Sequence, residues 1–251
     1  MKLDLHYVDP RLVALYDSAN PWGADSDFYL QLADELGAET IVDLGCGTGL
    51  LTTALAVGAR TVIGIDPAPA MLAIAQQRLG AERVRWLEGD SSQLVGLQAD
   101  LVLMTGNVAQ VFLDDQEWRT VLQGIYAALP VGGYLAFESR NPLTRVWEQW
   151  RRDTTYTVSD SPYGPLEEWL EVVDVAAGCV HLQGYNIFQT TGETLIVESK
   201  LRFRTSAELC ESLSTAGFTI AQLYGNWHRA PLTDKSPIIV IVAQRHQSSV
   251  A

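Results

Sequence analysis

The chain has 251 residues, 47% of them hydrophobic, and a formal net charge of −13. That length and apolar share suit one sizeable core, a single α/β domain over 1–251 carrying an insertion, and no apolar run reaches the length of a membrane span. The acidic balance argues against a nucleic-acid substrate, which needs clustered positive charge; the one dense basic group, Arg140, Arg145, Arg151 and Arg152, is interrupted by Glu148 and Asp153 and reads as a solvated helix face.

Three widely spaced cysteines, Cys46, Cys179 and Cys210, support neither a disulfide framework nor a zinc cluster. The opening residues, Met1 to His6, lack the apolar centre of a signal peptide, so the expected location is the cytoplasm. Residues 1–38 read as a helical cap. Leu12, Val13, Leu15 and Tyr16 give one helical face over 9–17, and Ser26 is placed to cap a helix through Phe28, Leu32 and Leu36.

From 40 to 141, strand and helix patterns alternate, which predicts a parallel sheet with right-handed crossovers. The run 41–50, Ile-Val-Asp-Leu-Gly-Cys-Gly-Thr-Gly-Leu, joins a β-branched strand to a helix through three alternate glycines. Gly45, Gly47 and Gly49 free the backbone and remove the Cβ atoms that would keep a ligand away from it. A second strand, 61–65, ends in Asp66; a third, 84–88, runs through Gly89 into Asp90 and Ser91; a fourth, 99–104, ends in Thr105, Gly106 and Asn107. Helices are predicted over 48–57, 68–79 and 114–129, and a Pro-Val-Gly-Gly turn leads into a fifth strand at 134–138. All of these loops fall at strand carboxyl ends, the ligand-binding side of open α/β sheets.

Beyond Pro142 the pattern changes. A Trp-rich segment, 146–150, leads through Pro162, Gly164 and Pro165 to three strands near 167–175, 179–189 and 193–204, joined by the short turns Ala177-Gly178 and Thr191-Gly192. Residues 142–204 are therefore expected to form an antiparallel lid subdomain over the open edge of the site; a plain sheet extension or a homodimer surface is the other reading. Thr205 to Glu208 make a capping box, Gly217 ends the helix that follows, and strands at 218–224 and 237–243 close the chain. The loop between them, 225–232, is polar and aromatic and holds Trp227 and His228.

The pattern Asp43-x-Gly45-x-Gly47-x-Gly49 resembles motif I of the class I S-adenosylmethionine-dependent methyltransferases, and the Leu-Pro-x-Gly-Gly turn at 129–133 is similar to theirs as well. A dinucleotide fingerprint would place its third glycine at position 50, where this chain has Leu50. The resemblance implies a Rossmann-like sheet of seven mostly parallel strands, the last antiparallel, with helices on both faces. It implies a cofactor site built from Asp43, Gly45, Cys46, Gly47 and Gly49, with Asp66 on the ribose and Pro67 and Met71 just beyond it. Asp90 and Ser91 would receive the adenine amino group, although Asp90 also suits a helix N-cap; Asp43 would either hold the turn or face the cofactor's ammonium. Thr105, Gly106 and Asn107 would meet the methionyl part and the acceptor, and the N-terminal helices would bring Tyr16 and Trp22 over the cofactor. Tyr7, Asn107, Trp147 and Trp227 are the acceptor-side candidates. Family loops at 225–232 carry a Gly-Asp-Trp-Asp-like sequence from which Asn226 and His228 depart.

The implied function is methyl transfer from S-adenosylmethionine to N, O or C of a small metabolite by in-line displacement. A base is needed only for a protonated or weakly nucleophilic acceptor, and His228 is the candidate. Four scattered histidines, His6, His181, His228 and His246, give no metal-ligand spacing. Two alternatives stay open: a catalytically inactive S-adenosylmethionine-binding partner protein, and an NAD(P)-dependent oxidoreductase, which Leu50 and Gly106-Asn107 disfavour. The expected partner is a small-molecule acceptor, with no nucleic acid and no membrane.

Overall fold

The computed structural model describes residues 3–246. Two helices precede the sheet: α1 (Pro10–Ala19), started by the Asp9 carboxylate accepting the Arg11 N–H, and α2 (Ala24–Glu35). Alternation then follows through β1 (Thr40–Leu44), α3 (Leu50–Leu55), β2 (Thr61–Asp66), α4 (Pro69–Ala75), β3 (Val84–Glu88), β4 (Leu101–Met104), α5 (Asp115–Ala128) and β5 (Tyr134–Arg140). After β5 come α6 (Arg152–Thr155), β6 (Thr157–Ser159), β7 (Leu166–Ala176), β8 (Cys179–Phe188) and β9 (Glu193–Arg202). The chain returns to the main sheet with α7 (Ser206–Thr215), β10 (Phe218–Tyr224) and β11 (Ile238–Arg245).

Seven strands form one sheet in the order β10-β11-β5-β4-β1-β2-β3, and only β11 runs against its neighbours. This is the Rossmann-like arrangement expected from the sequence. Both faces are covered, so the central strands read as continuous apolar runs. On one face α5 packs Trp118, Val121, Leu122 and Ile125 onto Val42, Val102 and Leu135. On the other, Phe28, Tyr29 and Leu32 of α2 and Leu55 of α3 cover Ile41, Leu101 and Leu103. Chain order reverses direction between β1 and β4, and the loops leaving those two strands part to open a crevice at the strand carboxyl ends.

The second sheet is antiparallel throughout, in the order β6-β7-β8-β9. Its edge strand β6 is absent from the sequence reading, because three exposed residues show no alternation to detect. The predicted helices also end early, α3 at Leu55 and α4 at Ala75. Polar contacts tie this sheet to the N-terminal segment: the Ser199 hydroxyl donates to Asp4 at 2.6 Å, and Arg11 forks onto Glu193 at 2.7 and 3.1 Å. Among the described residues, no helix is long and apolar enough to cross a membrane.

Candidate functional site

The crevice becomes a cleft floored by the loop after β1. Gly45, Gly47 and Gly49 all adopt left-handed backbone, with φ of 82°, 54° and 73°. Only Gly45 and Gly47 line the cleft. A side chain at Gly47 would project where nothing but the Met71 Cε stands, 3.4 Å away, so its bare α-carbon exposes backbone to the cleft. Gly49 is glycine for packing: a Cβ there would fall 2.6 Å from the Trp86 ring on β3. Cys46 is buried, with its sulfur turned toward Gly64 on β2.

The carboxylates divide their work differently from the sequence reading. Asp43 is 1% exposed and makes no bond to a loop N–H; its Oδ2 accepts the Thr52 hydroxyl of α3 at 2.6 Å, and its Oδ1 is buried without a partner. Burial pushes its pKa up to about 6, against the Thr52 bond that lowers it. Asp66 holds the loop instead. Its two oxygens accept Gly47 N–H and Ala68 N–H, each at 2.8 Å, while burial raises its pKa. Each oxygen keeps an unused lone pair, and the residue lines the cleft. Asp90 caps the turn at Ser91–Leu94 through the Ser92 N–H at 2.9 Å, a bond that lowers its pKa, and it lines the cleft too. Capping uses one of its oxygens.

Pro67, Met71, Ser91, Thr105 and Gly106 complete the polar and backbone part of the lining, and Tyr7 and Tyr16 stand over it. Gly106, at φ 69°, has open space where a Cβ would be. Burial raises both phenols, Tyr16 to about 12, so they meet a ligand as neutral donors. Sequence reasoning missed the apolar wall of Val108, Val111 and Phe112, whose i, i+3, i+4 spacing is its one readable signal.

Other candidates lie elsewhere. Trp22 is 40% exposed and donates its indole N–H to Asp27 at 2.8 Å. Trp147 packs edge-on to Phe203 at 4.6 Å, beneath the antiparallel sheet. Trp227 wedges against Phe28 and Tyr29 of α2, both at 5.7 Å. His228 is exposed, with its backbone N–H held by Asn226 Oδ1 at 2.9 Å. None of the four lines the cleft.

Asn107 borders the cleft in left-handed backbone, φ 64°, with Oδ1 buried and unpartnered. Its N–H donates to Glu138, whose other oxygen accepts the Tyr29 hydroxyl. Glu138 is 2% exposed and its pKa is driven up to about 7 by burial. It escaped the sequence reading; its signal was an acid inside an apolar strand.

The lining contains Asp66 and Asp90 and no lysine, arginine or histidine. Such a cleft suits a ligand carrying positive charge and repels the pyrophosphate of a dinucleotide. Open glycine backbone, a paired-hydroxyl acceptor at Asp66 and anionic surroundings all fit S-adenosylmethionine, a cationic nucleoside. Among the described residues no cluster of His, Cys, Asp or Glu is arranged to hold a metal ion.

Comparison with known proteins agrees. Residues 41–133 match the family model described as a methyltransferase domain. Cypemycin N-terminal methyltransferase from Streptomyces sp is 27% identical over 216 residues, 84% of each chain. Carboxy-S-adenosyl-L-methionine synthase from Chromohalobacter salexigens is 34% identical over 108 residues, so the match spans only 39% of that protein and 40% of this one. In fold, the chain resembles an amino pentose methyltransferase from Micromonospora echinaspora solved with S-adenosylmethionine bound, with TM-score 0.68, 21% identity and coverage of 92% of this chain and 96% of that one. The chain thus carries a methyltransferase domain over 41–133, set in a fold it shares with solved S-adenosylmethionine-dependent methyltransferases.

Proposed function

We propose that this protein transfers a methyl group from S-adenosylmethionine to an N, O or C atom of a small metabolite by in-line displacement. The observation that carries the reading is the single cleft where Gly47 backbone, the Asp66 and Asp90 carboxylates and two neutral tyrosines converge without any cation. When bound, S-adenosylmethionine supplies a methyl group on positively charged sulfur. The residues of this chain then have three tasks: to orient, to exclude water and to leave one line of approach open. Asp66 and Asp90 would hold the nucleoside, with Val108, Val111 and Phe112 as the apolar wall and Tyr7 and Tyr16 as further lining of the cleft. The N-terminal cap and the insertion 142–204 act as cap and lid over the cleft, joined to each other through Asp4–Ser199 and Arg11–Glu193. The small-molecule assignment draws support from the amino pentose methyltransferase of like fold.

Titration calorimetry with S-adenosylmethionine, S-adenosylhomocysteine, NAD and NADP tests the cofactor side: the first two bind and the dinucleotides do not. Transfer of labelled methyl to a metabolite panel tests the reaction. Cofactor binding with no transfer to any acceptor would favour the inactive partner protein.

A further inference from the structure

Arg140 ends β5 on the strand face of Glu138, two residues before it, and is half-buried. Its Nη1 donates to Gln110 Oε1 at 2.9 Å, and its guanidinium lies over the Trp150 ring at 5.5 Å. It has no salt bridge among the described residues, whereas Arg11, Arg60 and Arg204 all pair with carboxylates at 2.7–2.9 Å. Glu138 is a countercharge that raises the Arg140 pKa against burial, but it makes no hydrogen bond to the guanidinium and accepts instead from Tyr29 and Asn107. The remaining guanidinium N–H groups are unpaired and are not among the sealed-off polar atoms, so they stay open to a visitor. Burial lowers the pKa of Arg140, yet a guanidinium keeps its charge near neutral pH.

Its place is at the edge of the cleft. Gln110 belongs to the turn Val108–Gln110, and Val108 and Val111 line the cleft wall. Tyr7, which stands over the cleft, is close enough to Arg140 for each to perturb the other. On the far side Trp150 belongs to the packed underside of the antiparallel sheet. A half-buried guanidinium with open N–H groups between cleft and lid presents a planar fork that matches a carboxylate.

We infer that the methyl acceptor carries a carboxylate that pairs with Arg140 at the mouth of the cleft. This rests on the methyltransferase reading above. The cofactor's own methionyl carboxylate is the other source of the same chemistry, and the experiment separates the two.

The test uses the full chain, labelled S-adenosylmethionine and a panel of amino, hydroxy and aromatic carboxylic acids, each beside its primary amide. Methylation of acids is expected, with amides at least about tenfold lower in kcat/KM. Arg140→Gln should raise acceptor KM by about tenfold or more while S-adenosylmethionine Kd stays within about twofold, and Arg140→Lys should recover part of the loss. Equal use of acids and amides, no acid methylated by a protein that binds the cofactor, or unchanged acceptor KM in Arg140→Gln would overturn the inference. Weakened cofactor binding in Arg140→Gln would assign the guanidinium to the cofactor's carboxylate and overturn it too. Failure of the unsubstituted chain to bind S-adenosylmethionine is a different result, and removes the underlying reading instead.

Discussion

Replacing Glu138 by glutamine should flatten a pH dependence built into the floor of the site. The carboxyl, 2% exposed, accepts from Tyr29 on one oxygen and from the Asn107 N–H on the other. Its pKa rises from an ordinary 4.5 to about 7, chiefly through burial. Between those pH values the unfolded chain has released the proton and the native protein has kept it, so stability falls as pH rises. The contribution is complete below pH 4.5 and gone above pH 7. At about 1.36 kcal/mol per pH unit the whole step is about 3 kcal/mol, or roughly 6–12 °C in Tm for a chain of this size. Glutamine imitates the protonated acid: its carbonyl accepts the Asn107 N–H and its amide donates to the Tyr29 oxygen. Any fixed cost of the exchange is independent of pH. Chemical denaturation of both proteins at several values from pH 5 to pH 8.5 therefore isolates the group, because Asp43 titrates alike in both. The stability of wild type relative to Glu138→Gln should decline from pH 5 to about pH 7 and level off above it. A difference that stays constant with pH would show that Glu138 is ionised in the native protein and refute the argument.

Asp66→Ala removes the acceptor for Gly47 N–H and Ala68 N–H as well as the proposed acceptor for the ribose; calorimetry should show S-adenosylmethionine weakened by about a hundredfold or more, and near-wild-type affinity would detach Asp66 from the cofactor. Gly47→Ala puts a methyl group into the cleft at φ 54°; cofactor affinity should drop at least about tenfold while apo Tm falls only a few degrees, and collapse of the apo protein would mean the glycine serves folding alone. His228→Ala, on an exposed loop residue, should leave both the cofactor affinity and the pH–rate profile unchanged; loss of one limb of that profile would restore the histidine as a base.

The sequence by itself determined what depends on near neighbours in the chain. Strand and helix periods, the capping box at Thr205 and Glu208 and the left-handed glycines of the β1 loop are all local, so a few consecutive residues specify them. The order of these elements, with the motif I resemblance, carried the sheet topology and the cofactor family. Only the tertiary structure decided which atoms those elements bring together. Gly49 answers to Trp86 on another strand, and Asp66 rather than Asp43 holds the Gly47 N–H, because packing sets which carboxylate reaches the loop. Trp147 and Trp227 look like acceptor contacts in a one-dimensional string, yet they pack on Phe203 and on α2, since large apolar rings are buried against whichever surface lies nearest. Glu138 escaped for the same reason, and Arg140, read from the sequence as part of a solvated helix face, instead ends β5 half-buried. One gains meaning from Tyr29, 109 positions away, and the other from Gln110 and Trp150, and neither relation exists until the chain is folded.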